Sequence, residues 1–310
     1  MSQYNLDIFA NFLIDNEERF QRMQDSFFSF NKVDINSWVI NVRGKLSKKT
    51  ISFFKRNIHK NLFIFNFDSN DWFKDTRKIL NFLSAKYIFF WVEDHICLRS
   101  KKDFNDIIRE LTKYKIDYLQ YTFFFKGLNQ LSLENIKYTK KNNIIYLYYN
   151  KEIHKRRLKW FYDKKIPNIP YIISQPSIMK IDLFTKIINH NSLSLFKKNV
   201  PFRFEKNFRD LKWLPYKLGI VKAEFFASID DDNHFEKSCL ISRGMYPDRL
   251  SISKKNEISK NRTSSSNRYN LLGQIYYSKY LIYIKKFIKF FIWLRFKSAS
   301  HNQSHNRFFI

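Results

Sequence analysis

The run Phe89-Phe90-Trp91-Val92-Glu93-Asp94-His95 is the stretch best equipped for chemistry, because a wholly apolar strand ends abruptly in two acids and a histidine. In parallel α/β sheets the ligand site lies beyond the carboxyl ends of the strands, where these side chains would emerge. Oxygen ligands with one nitrogen suit Mn²⁺ or Mg²⁺, and such an ion neutralises a diphosphate as it leaves. The same three residues also fit a polar strand-end turn with a capping acid.

Other polar groups invite weaker readings. Asp68 and Asp71 follow a predicted strand and fit either the base or ribose of a nucleotide or the entry of a helix. Asp230-Asp231-Asp232 cannot all point one way along a strand, so a solvated turn is expected there. Lys155-Arg156-Arg157 fits a phosphate grip or plain exposed charge on an irregular segment. No Gly-rich phosphate loop exists, and neither Cys97 nor Cys239 belongs to a Cys-x-x-Cys pair. Nucleotide-triphosphate hydrolysis, zinc binding and thiol–disulfide exchange therefore find no motif.

The acidic element resembles that of the GT-A glycosyltransferases, especially family-2-like bacterial enzymes of surface-polysaccharide assembly. These carry an Asp-x-Asp or Glu-Asp-Asp element at the end of the fourth strand, after four βα steps like those predicted here. Gln175-Pro176-Ser177 and Pro201-Phe202-Arg203-Phe204-Glu205 resemble the acceptor side of some members, and the likeness spans roughly residues 4 to 210. It implies that Glu93 and His95 contact the metal, that Asp94 faces the sugar nucleotide, and that Asn16, Asp68 and Gln175 are substrate contacts. Where the family places a nucleotide-contacting Asp after strand two, this chain reads Val39-Ile40-Asn41-Val42-Arg43.

A transfer that inverts the anomeric carbon needs a carboxylate to take the acceptor's hydroxyl proton. Glu205 is the candidate, with Asp210 in reserve; Glu205 fits equally an ion pair with Arg203, Lys206 or Arg209. The implied function is transfer of a sugar from a nucleotide-sugar donor to a lipid-linked or nascent glycan. A non-catalytic relative and a basic nucleic-acid-binding protein are the alternatives, although no RNP or zinc-finger signature accompanies the latter.

The elements that must hold this chemistry read as α/β. Candidate strands run over Leu6 to Leu13, Trp38 to Val42, Leu62 to Phe67, Tyr87 to Val92 and Tyr118 to Phe125, a spacing that fits βαβ units in a mainly parallel sheet. Asn16 caps a helix to about Phe30, with Phe20, Met23, Phe27 and Phe28 on one face. Ser47 precedes a second helix, Trp72 to Leu83 forms a third, and Ser100 with Asp103 makes a capping box for a fourth. An irregular α+β half follows, with strands at Ile144 to Tyr149 and Tyr171 to Ser174 and a helix from Ser177 to Ile188.

Residues 1–246 are thus expected to form the GT-A-like catalytic domain, split near residue 125. Residues 247–268 read as a polar linker, and 269–310 as a basic amphipathic tail. The 310-residue chain has a formal charge of +28, concentrated at this end: residues 251–310 hold 12 Lys or Arg against the single acid Glu257. At 100° per residue Lys279, Lys285, Lys286 and Lys289 fall within an arc of about 120°, opposite Tyr276, Tyr280, Tyr283, Phe287 and Phe291. A helix of this kind lies on an anionic membrane surface or docks on its own core. Without a secretory signal or a spanning segment, the expected location is cytoplasmic, peripheral on the inner face of the cell membrane.

Overall fold

The computed structural model describes residues 5–121, 133, 136–163, 170–190, 201, 214–230 and 239–247. The chain divides into Met1–Pro247 and Asp248–Ile310, and every described residue lies in the first unit. Glu205, Asp210, the linker beyond Pro247 and the tail with Lys279, Lys285, Lys286 and Lys289 lie outside the described residues.

Three βα steps and a fourth strand open the fold. They are β1 (Leu6–Leu13) with α1 (Glu17–Phe30), β2 (Ser37–Arg43) with α2 (Ser47–Asn57), β3 (Leu62–Phe65) with α3 (Trp72–Ile79), and β4 (Tyr87–Phe90). After β4 come β5 (His95–Cys97), α4 (Lys101–Lys113), β6 (Tyr118–Gln120), β7 (Tyr138–Lys140), β8 (Ile144–Tyr149) and α5 (Lys151–Asp163). The described part closes with β9 (Ser177–Lys180), α6 (Ile181–Ile188), β10 (Tyr216–Val221) and β11 (Phe226–Ser228). Nine strands form one sheet in the order β3-β2-β1-β4-β9-β6-β10-β8-β7, while β5 and β11 make a separate ribbon. The pairings set β8 and β9 against the direction of all the other strands in the large sheet. The architecture is therefore mixed α/β with a mainly parallel sheet flanked by helices, as expected.

Aromatic side chains explain why these segments hold together. Trp91 sits at the centre of a cluster, 4.7 Å from the Phe12 ring, 5.1 Å from Phe30 and 5.8 Å from Phe54, mostly edge to face. Such pairs add roughly 0.5–1.5 kcal/mol each beyond the area they bury. On the opposite sheet face Phe9 meets Trp72 of α3 and Phe184 of α6. Phe28 was expected to share the apolar face of α1 but is 54% exposed, its ring resting on Phe27 and Phe53.

Three sequence expectations are corrected. Ser177–Lys180 is a strand, with the helix confined to Ile181–Ile188. It lies antiparallel between β4 and β6, and filling that gap with paired backbone outweighs its helical periodicity. Tyr171 to Ser174 is not a strand; Ile173 instead exchanges its backbone groups with the Tyr118 hydroxyl. Lys155-Arg156-Arg157 lies in α5, not on an irregular segment, and the buried Arg157 guanidinium stacks 3.2 Å from the Tyr171 ring centroid.

Candidate functional site

β1 lies between β2 and β4, so the carboxyl ends of these strands deliver their last residues to one corner of the sheet. Three polar side chains share the α3 side of that corner. Asn11 donates to the Trp72 carbonyl and the Thr76 hydroxyl, and its Oδ1 accepts from Asn41 and, at 3.1 Å, from Arg43 Nε. Asn41 also exchanges two hydrogen bonds with the Phe67 backbone, pinning the loop after β3 to β2. Two asparagines and an arginine thus form one network, with Asn41 and Arg43 buried and Asn11 partly so.

Arg43 is only 2% exposed. Burial lowers its pKa, and the fields of Asp68, Asp75, Glu93 and Asp15 act the other way. Those aspartates are themselves occupied by backbone amides: Asp68 accepts from Gly44, Asp15 from Lys45 and Asp75 from Ser69. Gly44 has φ +92°, and a Cβ there would lie 2.5 Å from Asp15 Oδ1. Only glycine fits that turn without strain.

The acidic element follows β4 directly. Ser26 of α1 links its two sides: the Ser26 hydroxyl accepts from Trp91 Nε1 at 2.9 Å and donates to the His95 carbonyl at 2.5 Å. Asp94 Oδ1 and His95 Nδ1 lie 2.6 Å apart, the ring buried and the carboxylate 42% exposed. Burial acts to raise the Asp94 carboxyl, and the charge and hydrogen bond of His95 outweigh it, leaving Asp94 below the usual aspartate range. Glu93 goes the other way. Burial first and the neighbouring Asp94 second push it up to about 7, against the pull of Arg19.

Among the described residues no three His, Cys, Asp or Glu side chains converge as a ready-made metal cage. Mg²⁺ and Mn²⁺ sites that share their ion with phosphates need only one or two carboxylates from the protein. Glu93 and Asp94 meet that requirement: two carboxyls adjacent in sequence, one of them raised by burial and then by the charge of the other, would favour a cation in the proton's place. His95 has its Nδ1 engaged by Asp94, a contact that fixes the ring and the carboxylate relative to one another.

Of the other sequence-derived candidates, Asn16 is the N-cap of α1, its Oδ1 accepting from the Arg19 amide at 2.9 Å. Asp68 holds the β2–α2 turn through Gly44. Gln175 lies in the loop before β9, whose first residue, Ser177, pairs with Phe90 at the end of β4, so it belongs to the same edge. Asp230, of the acidic triplet, lies 3.6 Å from Arg22 as an ion pair. Arg43, Asn11 and Asn41 were not among the candidates, although polar residues at alternate positions in apolar strands were the visible signal.

No protein-family model matches this chain, and no curated protein matches it. Solved structures do. S. aureus TarS 1-349 is 12% identical with a TM-score of 0.44, covering 82% of this chain and 68% of that one. Its complex with UDP aligns at 14% identity and TM-score 0.46, over 86% of this chain and 74% of that one. The complex with UDP-GlcNAc gives 12%, 0.44, 82% and 70% for the same measures. The chemistry of the site rests on this chain's own residues.

Proposed function

We propose that this protein is a glycosyltransferase that moves a sugar from a nucleotide-sugar donor to a glycan or glycolipid acceptor. One observation carries the reading: the paired carboxyls of Glu93 and Asp94, one raised and one lowered, stand at the carboxyl end of β4, on the sheet corner that also holds Arg43. That corner is where parallel α/β sheets bind nucleotides.

In this reading Glu93 and Asp94 would hold Mn²⁺ or Mg²⁺, with His95 keeping Asp94 in place. The ion would supply charge neutralisation for the departing diphosphate. Glu205, or failing it Asp210, takes the acceptor's hydroxyl proton, and Gln175 lines the acceptor side. The basic tail, with Lys279, Lys285, Lys286 and Lys289, holds the enzyme against an anionic membrane surface. The surface-polysaccharide setting is part of the same proposal.

The test is nucleoside diphosphate release from a panel of sugar nucleotides in the presence of Mn²⁺. Release that falls ~100-fold or more in Asp94→Asn, with the variant still folded, is the expected result. Equal release by the Asp94→Asn and wild-type proteins would remove the acidic element from the reaction. No release from any donor would remove the reaction itself.

A further inference from the structure

We propose that the cleft at the β7 edge of the large sheet is a second, non-catalytic glycan site, which takes a sugar chain bearing carboxylate or phosphate groups and holds it away from the reacting end. The role, though not the binding, rests on the transferase reading above, which gives the protein an acceptor glycan to hold.

β7 and β8 form the outermost hairpin of the sheet, and α5 follows β8 directly. Residues of all three line a cavity of about 470 Å³. That lies within the roughly 300–1,000 Å³ usual for ligand sites. Charge is concentrated here: residues 136–157 carry seven Lys or Arg against a single acid, Glu152. Lys137, Arg156 and Lys217 line the cavity together with that one acid. The nearby Asp117 carboxylate is taken up by Lys180 and by the Lys217 amide. The Lys217 amine is fixed, donating to the Tyr114 carbonyl at 2.7 Å and lying 5.2 Å from the Tyr146 ring centroid. An ammonium has three donors, and among the described residues this one makes that single hydrogen bond.

What surrounds the charge selects a sugar chain. Tyr148, in the cavity wall, is 58% exposed. The C–H bonds on one face of a sugar ring carry partial positive charge and suit the negative face of an aromatic ring. Thr139, Asn150 and Glu152 add a hydroxyl, an amide and a carboxylate, which match sugar hydroxyls that both donate and accept. A nucleic-acid strand would instead need successive ring faces for its bases. Tyr146, the other aromatic of the lining, is already stacked on Tyr114 at 5.7 Å and faced by Lys217, which leaves one open ring.

Placement makes the site an anchor. β4, β6 and β10 run in one direction, and Tyr148 pairs with Lys217 near the amino end of β10. The cleft therefore lies towards the sheet edge opposite the acidic element, and β8 is four strand spacings from β4, about 19 Å. A sugar held here does not touch the Glu93-Asp94 element, and only a chain of several sugars reaches from one to the other.

Calorimetric titration of the full chain, without nucleotide, with hexagalacturonate, a phosphomannan oligosaccharide, neutral maltohexaose and oligouridylate tests this. At least one of the two anionic glycans is expected to bind about tenfold or more tightly than maltohexaose. Tyr148→Ala should weaken that binding about tenfold and leave its salt dependence unchanged. Lys137→Glu, also at an exposed position, should weaken it about tenfold and flatten the salt dependence. Neither variant should change nucleoside diphosphate release from the donor. No preference for an anionic glycan, tighter binding of oligouridylate than of either anionic glycan, or unchanged affinity in either variant would overturn the site, and donor turnover that persists would leave the transferase reading standing. Anionic-glycan binding that both variants weaken, in a protein that turns over no donor, would uphold the site and overturn its role in a transferase.

Discussion

At the scale of single residues, the polar groups buried at the two edges of the sheet do different work. Asp7, fully buried at the amino end of β1, accepts from the Ser37 hydroxyl, the Asn36 side chain and the Ser84 and Ala85 amides. Every acceptor site is taken within the fold, which marks it as a structural brace. Asp7→Ala strands those donors and is expected to cost about 3 kcal/mol, read as a lowered denaturant midpoint. Arg43, at the opposite edge, makes one hydrogen bond among the described residues, from Nε to Asn11.

At the scale of elements, two short devices stand out. The β2–α2 turn needs Gly44 at φ +92°, with its amide and that of Lys45 held by Asp68 and Asp15. Gly44→Ala forces a Cβ against Asp15 and the Ile14 carbonyl and should cost about 2 kcal/mol in equilibrium unfolding. The second device is the capping box of α4, where Ser100 accepts from the Asp103 amide and Asp103 reaches back to the Ser100 amide.

Ser100→Ala should cost about 1 kcal/mol. The Ser100 hydrogen bonds hold the Asp103 carboxyl below its ordinary 3.8. Its contribution is therefore complete above that value and disappears as pH falls through the lower folded one. Asp103→Asn should lower the urea midpoint at neutral pH and lose that effect in strong acid. A pH-independent difference would show that the carboxylate charge is not what stabilises the cap.

At the scale of the whole molecule, charge distribution outweighs total charge. Among the described residues no helix is long and apolar enough to cross a membrane. The tail lysines are the proposed source of attachment to a membrane surface. Replacing Lys279, Lys285, Lys286 and Lys289 by Gln should weaken sedimentation with anionic vesicles by about 1 kcal/mol per lysine at low ionic strength. Wild-type binding that is unaffected by both the replacement and added salt would assign the attraction elsewhere.

Apart from β5, which no apolar run marked, the strand-and-helix order of the first 120 residues was legible in the sequence, because short apolar runs, Asn16 and the Ser100–Asp103 pair are local signals whose physics acts within a few residues. The acidic end of β4 was legible for the same reason. What only the tertiary structure decided was partnership between distant segments. Ser177–Lys180 became a strand because β4 and β6 left a gap for one. Arg43 met Asn11 from another strand, using Nε alone of its donors among the described residues. Hydrogen-bonding capacity can be read from residue type, but whether it is spent depends on neighbours that only folding brings together.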